Sequence, residues 1–113
     1  MPTLYMRQLS LKDSLSDAEV VAYWKFLQEE YIPAVMKVPG IRSFKLYSGA
    51  GGLRADILGV VEMEDAGAYE RWLADPGVRL MTAKATSAWD MHTTTQVFRR
   101  EMTPELIRAL SST

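Results

Sequence analysis

The sequence predicts an α+β fold whose elements follow the order strand, helix, strand, strand, helix, strand. Alternating or continuous apolar residues mark four segments typical of strands. Apolar residues at helical spacing mark the segments that follow the first and the third strand. The predicted strands are Leu4–Leu11, Ile41–Ser48, Ala55–Met63 and Asp90–Arg100.

The first helix has a clear start signal. Ser16 and Glu19 have the spacing of a capping box, in which each side chain bonds the backbone N–H of the other residue, so the helix is predicted to begin at Asp17. Its apolar stripe is wide, which predicts cover on more than one side. Pro33 lacks a backbone donor and disfavours helical geometry at the residue before it, so we expect a kink or an end there.

Local signals also divide the rest of the chain. The glycine-rich run Gly49–Gly52 predicts a flexible hairpin loop between the second and third strands. Asp65 is a typical cap for the second helical region, and the run Asp75–Gly77 interrupts that region and begins a second piece. Cap chemistry after the last strand predicts a short C-terminal helix over about residues 104–110.

Composition limits the class of protein. The 113 residues are 48% hydrophobic and 24% charged, so we expect residues 1–113 to form one globular domain. No apolar run approaches the ~20 residues of a membrane helix, and no secretion signal is visible. The net charge of −1 argues against a nucleic-acid partner, and the absence of cysteine excludes thiolate chemistry. We expect a cytoplasmic protein that binds neither nucleic acid nor membranes.

The element order is that of the ferredoxin-like fold. Right-handed crossovers place both helical regions on one face of a four-stranded antiparallel sheet. The strand Ala55–Met63 is apolar on both faces, so a monomer would expose a large apolar patch on the second sheet face. We therefore predict a homodimer in which the two sheets pack face to face.

A motif in the first half of the chain consists of Leu15-Ser16, Glu19, Tyr23-Trp24, Pro33 and the turn Val38–Ile41. It resembles the dimeric α/β-barrel superfamily, and within it the EthD-like and antibiotic-biosynthesis-monooxygenase-like branches. The resemblance implies a homodimer whose sheets enclose a small cavity. Members of the superfamily include cofactor-free oxygenases of aromatic polyketides, cyclases, isomerases, haem-degrading enzymes and proteins of no known activity.

The chain departs from these branches at informative positions. EthD-like proteins often carry a histidine two positions before the helix proline, where this chain has Tyr31. The haem-degrading branch uses an asparagine in the first strand and a histidine in the second helix. This chain contains no asparagine, and its one histidine, His92, lies outside that helix. The residues usual for haem degradation are therefore missing.

His92 is the candidate catalytic residue, because its ordinary pKa is near neutrality. As a general base it would remove a proton from a phenol or an α-carbon at the mouth of the cavity. The alternative is an imidazole at a strand edge that bonds a neighbour. A lone histidine is a poor metal site, and we expect no metal and no organic cofactor.

Four further residues are candidates for ligand binding. Arg7, Tyr47 and Asp56 are polar groups in apolar strands, and Trp89 lies at a junction between helix and strand. A few such groups orient a ligand in an apolar pocket. Strand alternation allows only one of Arg7 and Gln8 to face a cavity, and the sequence does not decide which.

The predicted function is the binding of a small apolar or aromatic molecule by a homodimeric α/β barrel. By resemblance, any catalysis would be cofactor-free oxygenation, cyclisation or isomerisation. One alternative is a non-catalytic dimerising module whose barrel is filled by side chains. Another is haem binding through His92. An enclosed space of a few hundred cubic ångströms distinguishes the first prediction from a filled barrel.

Overall fold

The computed structural model describes residues 2–112 and contains the predicted alternation of strands and helices. Strand β1 (Thr3–Leu9) is followed by helix α1 (Asp17–Phe26), a π-helical segment (Leu27–Tyr31) and helix α2 (Ile32–Met36). The remaining elements are strand β2 (Ile41–Ser48), a 3-10 turn (Gly52–Arg54), strand β3 (Ile57–Met63), helices α3 (Ala66–Ala74) and α4 (Pro76–Thr86), strand β4 (Thr95–Arg100) and helix α5 (Pro104–Ser111).

The four strands form one antiparallel sheet in the order β2-β3-β1-β4, so the two central strands are β3 and β1. Side chains from α1, the π-helical segment, α3 and α4 enclose a common space with one sheet face. This arrangement confirms the predicted antiparallel sheet with helices on one face. Among residues 2–112, no helix is both long and apolar enough to cross a membrane.

The helix starts follow from local side-chain chemistry. Ser16 Oγ accepts from the Glu19 backbone N–H at 3.1 Å, and the Glu19 carboxylate accepts from the Ser16 N–H at 3.0 Å. Asp65 and Asp75 accept from the third N–H that follows them, at 3.2 and 3.0 Å. Each bond satisfies an N–H that the helix itself leaves free, so the predicted starts of α1, α3 and α4 are confirmed.

Pro33 does not end its helix. The N–H of Ile32 donates to the carbonyl of Leu27, five residues earlier, which is the π-helical pattern. Pro33 then lies in the first turn of α2, directly after the π-helical segment. The proline therefore changes the hydrogen bonding before it, and the helix continues to Met36.

The last strand is shorter than predicted. It begins at Thr95, because residues 90–94 form a turn. The carbonyl of Asp90 accepts from the Thr93 N–H at 3.0 Å and from the hydroxyls of Thr93 and Thr94 at 2.8 and 3.1 Å. These local bonds compete with the sheet ladder and prevail over the β propensity of the threonines. His92 therefore lies in this turn and not in the strand.

The core lies between the sheet and the helices. Alternation along β1 buries Tyr5 and Leu9 on the helix side, and Arg7 lies on that side with them, whereas Gln8 is exposed on the opposite face. Met63, at the end of β3, has no exposed surface at all. The structure thus settles which of Arg7 and Gln8 faces the interior.

We expect Met63→Ala to destabilise the protein by about 2–5 kcal/mol, because the substitution removes buried methylene groups and leaves a void. Urea unfolding followed by circular dichroism measures the change in the free energy of unfolding. Leu80→Ala is the matched control, since Leu80 is 78% exposed. Equal losses in the two variants would contradict the position assigned to Met63.

Candidate functional site

A cavity of about 300 Å³ lies inside the single chain, between the helix side of the sheet and the helices. Sequence reasoning placed the candidate cavity elsewhere, in the space between the sheets of two subunits. The lining is mainly aromatic and aliphatic, with a few polar groups. It is therefore shaped and lined like a binding site for a small organic molecule.

Gly59 lines the floor of this space, which the sheet forms. It lies in the central strand β3, between Arg7 on one neighbouring strand and Leu46 on the other. A Cβ atom added there would lie 3.6 Å from Leu46 Cδ2 and 3.9 Å from Phe44 Cε1, in ordinary contact. A larger side chain would continue into the space that these residues line. The cavity floor thus depends on a residue without a side chain.

The π-helical segment forms part of the wall. Its first and last residues, Leu27 and Tyr31, are both buried and both line the cavity. The Tyr31 hydroxyl lies 2.9 Å from Thr82 Oγ1, so a hydrogen bond connects the phenol to α4. Burial raises the pKa of Tyr31, although hydrogen bonding with Thr82 and the nearby indole of Trp72 oppose the shift. Tyr31 therefore stays neutral at physiological pH.

Trp72, on α3, brings an unused hydrogen-bond donor to the cavity. Its indole packs edge-on against the rings of Tyr5 and Tyr69, with centroid distances of 5.5 and 5.6 Å. The indole Nε1 is buried and has no hydrogen-bond partner within the described chain. The nearby indole lowers the pKa of Tyr31, but its Nε1 forms no hydrogen bond with the Tyr31 hydroxyl. A buried donor without a partner is unfavourable unless an oxygen atom of a ligand or of a water molecule accepts from it.

A polar cluster surrounds Arg7. The Nε of Arg7 donates to the Tyr5 hydroxyl, and its Nη2 donates to Gln96 Oε1. The guanidinium carbon lies 4.8 Å from the ring centroid of Trp89. Burial raises the pKa of Tyr5, while the Arg7 charge and hydrogen bond pull it down. These contacts hold the cation beside the cavity.

Trp89 is itself fixed by a buried phenol. Its indole Nε1 donates to the Tyr23 hydroxyl at 2.8 Å. Burial raises the pKa of Tyr23 to about 12, although the bond from Trp89 opposes the shift. Both residues line the cavity, and exposed Met91 and Leu73 line it as well. The cavity therefore opens to solvent where Met91 and Leu73 lie.

The ligand-binding residues predicted from the sequence do not all lie together in the structure. Arg7 and Trp89 line the cavity. Tyr47 is about half exposed and lines a second, more open depression beside the Gly52–Arg54 turn. Asp56 accepts from the side-chain amide of Gln8 at 3.1 Å and lines neither space.

His92 is exposed in the turn before β4, where its backbone N–H donates to Asp90 Oδ1 at 3.0 Å. Its neighbour Met91 lines the cavity, but His92 does not. Within residues 2–112, no three side chains of metal-ligating types come together.

Three of the cavity residues that sequence reasoning did not nominate are informative. Gly59 interrupts an otherwise apolar strand, and such a glycine is itself a signal of close approach by a ligand or another backbone. Tyr31 stands where EthD-like proteins often have histidine, which was a positional signal for a polar group in the site. Trp72 has the helical spacing of a core residue, so only the unpaired Nε1 reveals its second role.

Solved structures share this fold. SnoaB, a cofactor-independent oxygenase from Streptomyces nogalater, superposes with a TM-score of 0.69 over 90% of this chain and 94% of its own, at 13% identity. The chain has the ferredoxin-like fold. An EthD family protein from Bacillus halodurans also matches, with a TM-score of 0.63 over 90% of this chain and all of its own, at 14% identity.

A dimeric protein of unknown function with a ferredoxin-like fold, from Bacteroides fragilis, matches with a TM-score of 0.71 over 88% of this chain and 96% of its own, at 14% identity. No protein-family model matches the sequence, and no curated protein gives a significant sequence match. The fold resemblance predicted from the motif is therefore confirmed by structure alone.

We expect the stability of the protein to fall as the pH rises from 10 to 12. The unfolded Tyr23 loses its proton near its ordinary pKa of 10.0, whereas the folded residue holds it up to about 12, so deprotonation favours the unfolded chain. A shift of this size corresponds to roughly 2–3 kcal/mol. Urea unfolding at pH 9 and pH 11.5 measures the loss.

Tyr23→Phe should lower stability at pH 9 but reduce the further fall at pH 11.5, because the titrating phenol is gone. Tyr47→Phe, which removes a half-exposed phenol outside the cavity, is the control. The assignment is wrong if Tyr23→Phe and the parent protein lose equal stability between the two pH values.

Proposed function

We propose that the chain is a cytoplasmic homodimer that binds a small planar aromatic molecule in its cavity and oxygenates it with O2 without a cofactor. The observation that supports the proposal most directly is the unpaired Nε1 of Trp72 in an aromatic-lined cavity of about 300 Å³. Such a donor is well placed to bond an oxygen atom of a ligand, and aromatic walls favour an aromatic ligand.

The volume and the position of the cavity support ligand binding even if side chains fill the space between the sheets of two subunits. The cavity's volume is at the lower end of the range of small-molecule sites. It lies within one chain, between the sheet and the helices, so it does not depend on what fills the space between two subunits. The ring planes of Tyr5, Phe44 and Trp72 differ in orientation by 51° or more from one neighbour to the next, which keeps them from closing the space by stacking.

The lining supplies donors for a developing negative charge. Trp72 offers its indole N–H, and Arg7 offers a cation with three N–H groups that its bonds to Tyr5 and Gln96 leave free. Among the lining residues of the described chain there is no carboxylate and no histidine. The side chains are thus suited to stabilise an oxyanion, and the proton must leave to water from an already acidic substrate.

The proposed reaction uses O2 as the co-reactant. An acidic CH2 group of the substrate loses one proton to solvent, and the resulting charge lies largely on a conjugated oxygen. The carbanion gives one electron to O2, and the carbon radical and superoxide combine to form a peroxide. The peroxide takes up a proton, and the hydroperoxide then loses water and becomes a carbonyl group. One oxygen atom of O2 enters the product and the other leaves as water.

The outer sheet face supports the homodimer. In the centre of this face, Met6 lies between Val60 and Val97 on the neighbouring strands. Leu58 lies on the same face of β3 as Val60, opposite Gln8 of β1. The helices that cover the cavity lie on the other face, so burial of this apolar strip requires another surface. A second copy of the same face supplies one with matching shape and symmetry. The dimeric Bacteroides fragilis protein of the same fold supports this assembly.

Anthrone is a suitable probe, because its CH2 group is acidic and its oxidation product, anthraquinone, is planar. We expect the protein to bind anthraquinone with quenching of tryptophan fluorescence, and to speed the consumption of O2 by anthrone. Gly59→Val should weaken binding at least tenfold and remove the rate increase, because the valine side chain would enter the cavity. Valine is β-branched and suits a strand, so the fold should tolerate the substitution.

Val21→Ile adds bulk at an exposed position of α1 that does not line the cavity and is the matched control. Circular dichroism and urea unfolding establish that each variant is folded. Binding without turnover would remove the oxygenase part of the proposal and leave a binding protein. Binding that survives unchanged in a folded Gly59→Val variant would exclude this cavity as the site.

The dimer is tested by light scattering at micromolar concentration, where we expect the mass of two chains. Met6→Glu should give the mass of one chain, because it places a charge in the middle of the apolar strip. Leu80→Glu, at a position that is 78% exposed on α4, should leave the dimer intact. A single-chain mass for the parent protein would disprove the dimer and leave the cavity proposal standing.

A further inference from the structure

Arg7 is the one residue with a full charge among those that line the cavity in the described chain. Its hydrogen-bond partners, the Tyr5 hydroxyl and the Gln96 amide oxygen, are neutral. Two aromatic rings face it, with centroids 5.6 Å away for Tyr5 and 4.8 Å away for Trp89. The guanidinium is therefore positioned tightly but is not neutralised.

Four of the other seven arginines, Arg42, Arg54, Arg71 and Arg108, each form an ion pair with a carboxylate of the protein. The remaining three, Arg79, Arg99 and Arg100, form none within the described residues and lie outside the cavity. No carboxylate among residues 2–112 forms an ion pair with Arg7. Arg7 is thus one of four arginines without an ion pair in the described chain, and it alone of the four lines the cavity.

The Arg7 guanidinium is half-buried, with apolar cavity walls on one side, and such a cation favours an anionic partner. Two of its five N–H groups are used in the bonds to Tyr5 and Gln96, and three remain. A carboxylate matches the planar fork of a guanidinium with two parallel hydrogen bonds. The attraction is stronger beside apolar walls than in water, because the local dielectric constant is lower.

We propose that Arg7 makes the cavity selective for aromatic ligands that carry an anionic substituent, a carboxylate in the simplest case. This inference rests on the proposed binding function and specifies its substrate class. Arg7 lies opposite Gly59 in the β1–β3 pair, and both residues line the cavity. The anionic group of the ligand would therefore bind beside Gly59. The aromatic part would then occupy the space between Phe44 and Trp72, which both line the cavity.

The test compares two probes of nearly the same shape, anthraquinone-2-carboxylate and anthraquinone-2-carboxamide, at pH 7.5. Dissociation constants come from tryptophan fluorescence quenching and from calorimetry. We expect the parent protein to bind the carboxylate at least tenfold more tightly than the carboxamide. Raising the salt concentration should weaken carboxylate binding and leave carboxamide binding nearly unchanged.

Arg7→Gln should bring the two dissociation constants to within about twofold of each other, mainly by weakening carboxylate binding. Arg7→Lys should retain part of the preference, because it keeps the charge but loses the planar fork. Arg79→Gln is the matched control, since it removes an exposed arginine on α4 and should leave the preference unchanged. The comparison within the parent protein does not depend on whether any variant folds.

The outcomes separate this inference from the proposed function. Equal binding of the two probes by the parent protein would overturn the role of Arg7 and leave the cavity as a binding site. A preference that persists in folded Arg7→Gln would overturn it as well. If neither probe nor anthraquinone binds, the binding function fails and the inference fails with it.

Discussion

The absence of a side chain at Gly59 is the constraint on which the candidate site depends. Helices that pack over a sheet normally meet a continuous layer of side chains, and the interior is filled to crystal-like density. Here the layer is interrupted in the central strand, between Arg7 and Leu46. Large aromatic rings around the gap cannot all turn into it, because each is held by its neighbours. An open space remains, and its walls are rigid.

The hydrogen bonds around the cavity keep this space in one shape. The Tyr31 hydroxyl and Thr82 connect the π-helical segment to α4, and Trp89 and Tyr23 connect the segment before β4 to α1. Both pairs join elements that are far apart in sequence. A ligand that enters therefore meets groups already held in place, so little conformational entropy is lost on binding.

Local chemistry made much of the fold predictable. The capping box of Ser16 and Glu19 and the cap at Asp75 act within four residues, so the sequence alone shows them. The same locality explains an error, since the turn bonds of Asp90 that remove His92 from the strand compete with an equally local β propensity. Where two local preferences conflict, the sequence does not show which one prevails.

The site was less predictable because it depends on long-range packing. Strand alternation shows that Arg7 and Gln8 face opposite ways, but only the register and the helix positions show that Arg7 faces the cavity. The unused donor of Trp72 also becomes visible only when its neighbours are known. Gly59 is the exception, because a glycine that interrupts a central apolar strand is readable in the sequence.

The cavity combines neutral phenols with a single cation, so its electrostatic potential is positive. Burial raises the pKa of Tyr5, Tyr23 and Tyr31, so these phenols remain protonated and neutral near pH 7. Arg7 therefore sets the sign of the potential, and Trp72 adds a further donor to it. A site of this kind stabilises an anion whether the charge belongs to a substituent of the bound molecule or develops during reaction. Anion recognition and oxyanion stabilisation thus follow from the same arrangement of neutral phenols around a single cation.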